Sequence, residues 1–331
     1  MSVTKANLKM WSAIGPRATF GLAALEVGKS IDDLMILTGD TSTSAGLDRF
    51  KKTYPDKFLD VGIAEQNMIG IAAGLASEGI TVYTATFAPF QTMRCCEQIK
   101  VNLGYMRHRV SMVGLASGVV LGALGYTHCC IEDVAVMRSI PGITVISPAD
   151  SGATFKAALA AARHHESVYI RITGGAPNPQ VYEDDFPFEI GRANVLREGT
   201  DMTIIAAGTM VYESLRAAET LAGRGLAAGV VDMHTIKPID TAAIDRACAS
   251  SDLIVTVEEH SLAGGLAGAV AEYKASLRNA PPQLSLGHAD HHGKSGQYRD
   301  LLEAQGLTAP QIAERIVRAY EPSAGRRASA T

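Results

Sequence analysis

A helix that crosses a bilayer needs roughly 18–20 consecutive apolar residues, and no stretch of this 331-residue chain supplies them. The opening MSVTKANLKMWSAIGPRATF also lacks the uninterrupted apolar core of a secretory leader. Cysteine is scarce. The five present fall as Cys95-Cys96, Cys129-Cys130 and a lone Cys248, an odd number in adjacent pairs that does not make the spaced disulfide framework of a small secreted scaffold. They read as reduced core thiols of a cytoplasmic protein. Clustered positive charge is missing as well: 30 Lys and Arg stand against 34 Asp and Glu, for a net charge of −4. Partners such as nucleic acid or anionic membrane usually require a basic face. These absences leave a small-molecule function as the expectation.

What is there is a chain with 47% apolar residues, enough to bury a large core and long enough for two domains. Short β-branched runs, DLMILTGD, ITVYTATF, RVSMVGLAS, ITVISPAD and SVYIRI, are bounded by Gly, Pro, Ser or Asp and read as buried strands. Helical patterns lie between them over 65–79, 91–104, 131–140 and 151–165. Such alternation predicts parallel strands joined by helical crossovers. The pattern stops at TGGAPNPQVYEDDFPF, 173–188, where prolines, glycines and acids predict a linker. A second alternation follows, with strands over DMTIIAAG, LAAGVVDMHTIKP and DLIVTVEEH, and a last helix near TAPQIAERIVRAY. The expected fold is α/β in two domains: a doubly wound parallel sheet over 1–186, a smaller α/β domain over 187–321, and a disordered tail over 322–331.

One segment asks for a chemical reason. In DVGIAEQNMIGIAAGLASEG, 60–79, Glu65 enters an otherwise apolar passage where a strand gives way to a helix. A helix start favours an acid by about 0.3–1 kcal/mol, which would suffice as an explanation. However, Met68, Ile69, Ile71, Ala72 and Leu75 make the helix apolar around much of its girth, so the carboxylate is expected to be buried, and a buried carboxylate needs a partner. In parallel α/β sheets, loops at the carboxyl ends of strands are also where ligands bind.

DVGIAEQNMIGIAAGLA, then TFAPF, RCCEQI, GYTH, EDVAVMRSIPGITVISPAD and VYIR, in that order, resemble the C-terminal half of transketolases. REGTDMTIIAAGTMV, IKPID, VEEHSLAGGLAGAV, GKSG and GLTAPQIA continue the resemblance, which covers about residues 10–320 and is strongest to the C-terminal subunit of a split transketolase. It implies thiamine diphosphate chemistry. Glu65 would be the acid that hydrogen-bonds the N1′ atom of the cofactor's aminopyrimidine. Phe90 would stack on that ring, Phe87 would line its pocket, and Met93 would fill the position where an aromatic is common. His128, in GYTHC, would contact the ketose donor and assist proton movement. Arg17 and Ser44 match ligands of a substrate phosphate.

The departures are as informative. Leu124 in LGYTH stands where transketolases of sugar phosphates carry a hydroxyl-binding aspartate, and an apolar side chain accepts no hydrogen bond. Ala116 and Gly174 stand where a phosphate-binding histidine and arginine are expected. An acceptor other than the ordinary pentose phosphate follows, because sites built for charged hydrogen bonds discriminate by orders of magnitude. The family's GDG and asparagine, which hold Mg2+ and through it the diphosphate, have no counterpart here; GDTS at 39–42 sits at a strand end instead. The Mg2+ is therefore expected mainly on a partner, an N-terminal subunit with the diphosphate-binding domain, in an α2β2 assembly. GHADHHGKSG, 287–296, matches no zinc template, and no metal ligand is assigned to this chain. The β subunit of a 2-oxoacid dehydrogenase shares the layout, a 1-deoxyxylulose-5-phosphate synthase would carry its N-terminal domain in the same chain, and a noncatalytic scaffold subunit would have no need of Glu65 and Phe90.

Overall fold

The computed structural model describes residues 3–320. The strands in chain order are β1 (Leu34–Thr38), β2 (Phe58–Asp60), β3 (Thr81–Phe87), β4 (Val110–Ser117), β5 (Ile143–Ile146), β6 (Ser167–Thr173), β7 (Asn194–Arg197), β8 (Met202–Ala206), β9 (Ala228–Asp232), β10 (Thr235–Lys237), β11 (Leu253–Ser261) and β12 (Gln283–His288). They form a seven-stranded sheet, β10-β5-β6-β4-β3-β1-β2, and a five-stranded sheet, β12-β11-β8-β9-β7. The chain is thus an α/β protein of two domains. Central strands such as β4 and β6 are buried along their whole length, as parallel strands covered by helices on both faces must be. No helix among the described residues is long and apolar enough to cross a membrane.

Several elements differ from expectation, each for a local reason. Helices Lys5–Ile14 and Pro16–Ser30 precede the first strand. Thr4 caps the first by accepting the Asn7 N–H, and Gly15, at φ +83°, makes the corner that Pro16 then starts from. The single tryptophan, Trp11, is fully buried and stacks on Phe155 with 4.3 Å between centroids. The helix expected over 91–104 is broken into Ala88–Gln91, Cys96–Gln98 and a π-helical turn, Ile99–Tyr105. Inside the break the Thr92 hydroxyl donates to the Ala88 carbonyl and the Cys95 thiol to that of Phe90, side-chain bonds that compete with the regular ladder.

The run 226–238, expected as one strand, divides into β9 and β10, which lie in different sheets. β10 pairs antiparallel with β5, and the Ser147 N–H donates to the His234 carbonyl at 2.7 Å. β7 also pairs antiparallel, with β9, so both sheets are mixed. The stretch 173–188 is no loose linker: Tyr182 and Phe186 are buried and stack at 3.6 Å, and Asp150 accepts the N–H groups of Val181 and Tyr182. The tail expected to be disordered, 322–331, lies outside the described residues.

A buried polar network joins the sheets. Arg171 on β6 donates through Nε to both oxygens of Asp133, at 3.0 and 2.9 Å, and through Nη2 to the carbonyls of Glu259 and Cys130. The Glu259 carboxylate accepts from the Val119 N–H, the Thr209 hydroxyl and the Tyr298 hydroxyl. Gly118 is required there, since it has φ +69° and a Cβ would lie 2.1 Å from Glu259 Oε1.

Asp232, fully buried at the end of β9, accepts the Tyr182 hydroxyl at 2.6 Å on Oδ2, while Oδ1 has no partner. Burial pushes its pKa up to about 7, against the opposing effect of the Tyr182 bond. A raised folded pKa means that the group's contribution to stability is fully present below about pH 4, the unfolded value, and is lost as pH rises through 7. Asp232→Asn is accordingly expected to raise the melting temperature relative to wild type at pH 8 and to change it little at pH 4. A wild-type protein equal to the variant at both pH values would show that the carboxyl is ionised at no cost.

Candidate active site

The site is assembled where β1, β2, β3 and β4 end. At the end of β2, Asp60 accepts the N–H groups of Asp40 and Gly62 at 3.0 and 2.9 Å and the Thr38 hydroxyl at 3.1 Å. Burial works to raise its pKa, but these bonds hold it below the usual carboxylate range. They also fix the left-handed turns at Asp40 (φ +58°) and Gly62 (φ +72°). The chain then enters helix Glu65–Ser77 with Glu65 as its first residue.

Glu65 is 4% exposed, as the apolar surroundings of its segment require. Its carboxylate is met by Arg94, whose Nη1 donates to Oε2 at 2.8 Å. Gly39 leaves space beside it, for a Cβ there would stand 3.2 Å from Glu65 Cγ. The Arg94 guanidinium also lies over the Phe90 ring, 4.0 Å from its centroid. One planar cation therefore touches both an aromatic face and a buried carboxylate.

Phe90 belongs to the short helix that follows β3, and Phe87 ends that strand. Together with His128 the two rings form an edge-to-face trio, with centroids 6.1 Å apart for Phe87–Phe90, 6.3 Å for Phe87–His128 and 5.5 Å for Phe90–His128. The His128 loop is closed by reciprocal backbone bonds between Gly118 and Cys130, both 2.8 Å, and turns at Gly125, φ +74°. His128 Nδ1 lies 3.0 Å from the Thr127 hydroxyl. Met93 and Leu124 are 42% and 58% exposed, so each presents an apolar side chain to the open side rather than packing into the trio.

Arg17 and Ser44 form a separate station. Arg17 Nη1 donates to the Ser44 carbonyl at 3.3 Å, and the two line a cavity of about 170 Å3 at the start of helix Pro16–Ser30, together with Thr43, Gly46, Gly175 and Ala176. Burial pushes the Arg17 pKa down, yet an arginine stays charged. A helix N-terminus with a guanidinium beside it is an electrostatic setting for an anion.

Two thiols near the site are shifted away from the reactive thiolate form. Burial, with Glu65 nearby, pushes the Cys95 thiol up to about 12, and burial with Glu259 and Glu132 pushes Cys129 up to about 11. The histidines of 287–296 do not make the metal-capable group found among the described residues, which is His164, His165 and Glu166 at the surface.

Two residues of the site are not evident from sequence. Asp60 had a usable signal, an Asp two residues before a glycine at a strand end, the pattern of a turn in which a side chain holds a backbone amide. Arg94 had a weaker one: the expected burial of Glu65 called for a cationic partner without saying where in the chain it would come from.

Residues 12–177 match the family model of the transketolase pyrimidine binding domain, and residues 191–312 that of the transketolase C-terminal domain. The chain belongs to the transketolase family. It is 40% identical over 305 residues to a transketolase C-terminal section from Methanocaldococcus jannaschii, covering 92% of this chain and 95% of that one. It is also 40% identical over 295 residues to an apulose-4-phosphate transketolase subunit from Phocaeicola vulgatus, covering 89% and 94%. Among solved structures it is similar to a split-gene transketolase described as an inactive β4 tetramer, with a TM-score of 0.85, 37% identity, and coverage of 92% of this chain and 98% of that one. Both sequence relatives are matched over nearly their whole length. This transketolase chain is therefore similar to subunits of split enzymes.

Proposed function

We propose that this chain is the C-terminal subunit of a two-chain, thiamine-diphosphate-dependent ketol transferase, which moves a two-carbon unit from a ketose donor to an aldehyde acceptor. The observation that carries the reading is the contact pair made by Arg94. A protonated aminopyrimidine would need a flat aromatic face to stack on and a carboxylate to receive its N–H, and Arg94 draws both from this site, at 4.0 and 2.8 Å. The residues therefore fit the ring. Arg94, with 41% of its side chain exposed, has an open side toward which it can withdraw.

When bound, thiamine diphosphate supplies a carbanion centre next to a cationic ring, able to take up and release a carbonyl carbon. The protein's part is positioning and proton control. Glu65, shielded from water, would hold a proton at the ring nitrogen, where a carboxylate interacts far more strongly than in bulk solvent. Phe90 would orient the ring by stacking. His128, at the open edge of Phe90, would receive or return a proton at the donor's hydroxyl. The N-terminal partner would hold the diphosphate and Mg2+.

Acceptor choice follows from the outer residues. Leu124, exposed, offers no hydrogen bond where a polyhydroxylated sugar would need one, and Ala116 and Gly174 bring no charge. The Arg17 and Ser44 cavity still fits one anionic group. An acceptor with fewer hydroxyls and a terminal phosphate or similar anion meets these conditions. The likeness to an apulose-4-phosphate transketolase subunit supports it, and the inactive β4 relative supports the need for a second kind of chain in an α2β2 assembly.

Reconstitution tests the reading. This chain would be co-purified with the N-terminal subunit and supplied with thiamine diphosphate, Mg2+ and a panel of ketose donors and aldehydes, phosphorylated and not. Turnover is expected in the mixture, none from this chain alone, and ribose 5-phosphate should be a poor acceptor. Tight cofactor binding with turnover by the isolated chain would sink the proposal.

A further inference from the structure

His128 sits in a loop, 118–131, that belongs to the first domain but is held by the second. At the loop's entry the Val119 N–H donates to the Glu259 carboxylate at 2.8 Å, and at its exit the Ser261 N–H donates to the Ile131 carbonyl at 2.8 Å. Both partners lie at the end of β11, in the five-stranded sheet. Arg171 ties the same region together by donating to the carbonyls of Cys130 and Glu259. Glu259 is 1% exposed, and its other oxygen accepts the hydroxyls of Thr209 and Tyr298 at 2.8 and 2.7 Å. Those two residues are also in the second domain, so that domain alone fixes where the carboxylate stands.

The middle of the loop is gripped too. The Gly296 N–H donates to the Gly122 carbonyl at 3.1 Å, a Cβ at Gly122 would lie 2.2 Å from Leu301 Cδ1, and the Tyr126 ring meets that of His292 at 5.0 Å. The segment GHADHHGKSG, 287–296, which matches no metal template, thus straps the turn that carries Leu124 and His128. A surface loop left to itself samples many conformations, and a misplacement of about 1 Å at a reacting group can cost about 100-fold in rate. A backbone N–H bonded to a carboxylate is held about twice as strongly as one bonded to a neutral acceptor. We propose that Glu259 is a positioning residue for ketol transfer: through the Val119 N–H it sets where the loop, and with it His128, stands against the ketose donor. The second domain then acts on the chemistry through the backbone of the first. The inference rests on the reading of His128 as the donor's contact.

In the reconstituted two-chain enzyme, Glu259→Leu is expected to lower kcat/KM for the ketose donor at least about 30-fold. Thiamine diphosphate affinity, read by calorimetry, should stay within about threefold of wild type, because Glu65 and Phe90 lie on other elements. Glu259→Gln should recover most of the loss: Gln keeps an oxygen for the Val119 N–H, and its amide can donate to the Thr209 or Tyr298 hydroxyl, which accepts as well as donates. Amide hydrogen exchange over 118–131, followed by mass spectrometry on this chain alone, should quicken at least about tenfold in Glu259→Leu and not in Glu259→Gln. Because losing a buried carboxylate can prevent folding, Gly293→Ala supplies a second arm. Its added Cβ would lie 2.8 Å from Tyr126 Oη, so a part-exposed ring two residues from His128 must shift; donor kcat/KM should fall at least about threefold with the melting temperature unchanged. Normal donor kinetics in both variants, or a loss in Glu259→Gln equal to that in Glu259→Leu, would overturn the proposal. A wild-type assembly that turns over no ketose would instead sink the ketol-transfer reading, and the hold of Glu259 on the loop is decided separately by exchange: an unchanged rate in Glu259→Leu would overturn it.

Discussion

Glu65→Gln is expected to lower turnover of the reconstituted two-chain enzyme by at least about 10³-fold while leaving assembly intact. Gln keeps the volume of the side chain and one oxygen acceptor but cannot carry the charge that stabilises a protonated ring nitrogen. The site gives this charge unusual leverage, because the carboxylate is 4% exposed and its partner Arg94 is free to turn outward. A structural role alone would produce a different pattern. The Arg94 pair is part-exposed, so its loss should cost stability well under 1 kcal/mol, and the melting temperature of the variant should stay near wild type. Cofactor affinity, measured by calorimetry on the assembled enzyme, should fall far less than turnover. A variant that turns over normally would remove Glu65 from the chemistry.

Arg171→Met should destabilise the fold by about 3–5 kcal/mol in urea unfolding. Arg171 is 3% exposed and Asp133 is fully buried, so the substitution strands a carboxylate in the interior together with the Cys130 and Glu259 carbonyls. Burial alone would lower the Arg171 pKa, but Asp133, Tyr169 and Glu259 more than reverse that, so the guanidinium stays charged. Tyr169 also donates to Asp133 at 2.7 Å and would remain as its only side-chain donor of this group. Changing Asp133 to leucine in the same chain should recover part of the loss by removing the unpaired charge. A single variant within about 1 kcal/mol of wild type would mean that water or a rearranged side chain replaces the guanidinium.

Local pattern was enough to read much of the first sheet. VSMVGLAS and SVYIRIT are legible as buried strands because an apolar run between turn residues has little else to become. Glu65 stood out because a carboxylate amid apolar neighbours raises a question of physical chemistry. Arg94 did not, because its segment looked continuously helical over 91–104, and the break that turns its side chain back onto Phe90 depends on the competing bonds of Thr92 and Cys95. The order of 173–188 was hidden by its context: its prolines and glycines imply a connector, while Tyr182 is held by Asp150 and Asp232, far away in the chain. The division of 226–238 between two sheets was illegible for the same reason. Both strands are apolar, and only pairing with β5 on one side and β8 on the other separates them.

That division bears on how the protein can be cut and recombined. A fragment ending near 186 would lose β10 and leave the outer backbone groups of β5 open to solvent and to other chains, an invitation to aggregate. A chimera joined at the same point would inherit a foreign edge. Grafting either half onto a related scaffold therefore requires residues 233–238 to travel with the first half's sheet, however distant they are in the gene.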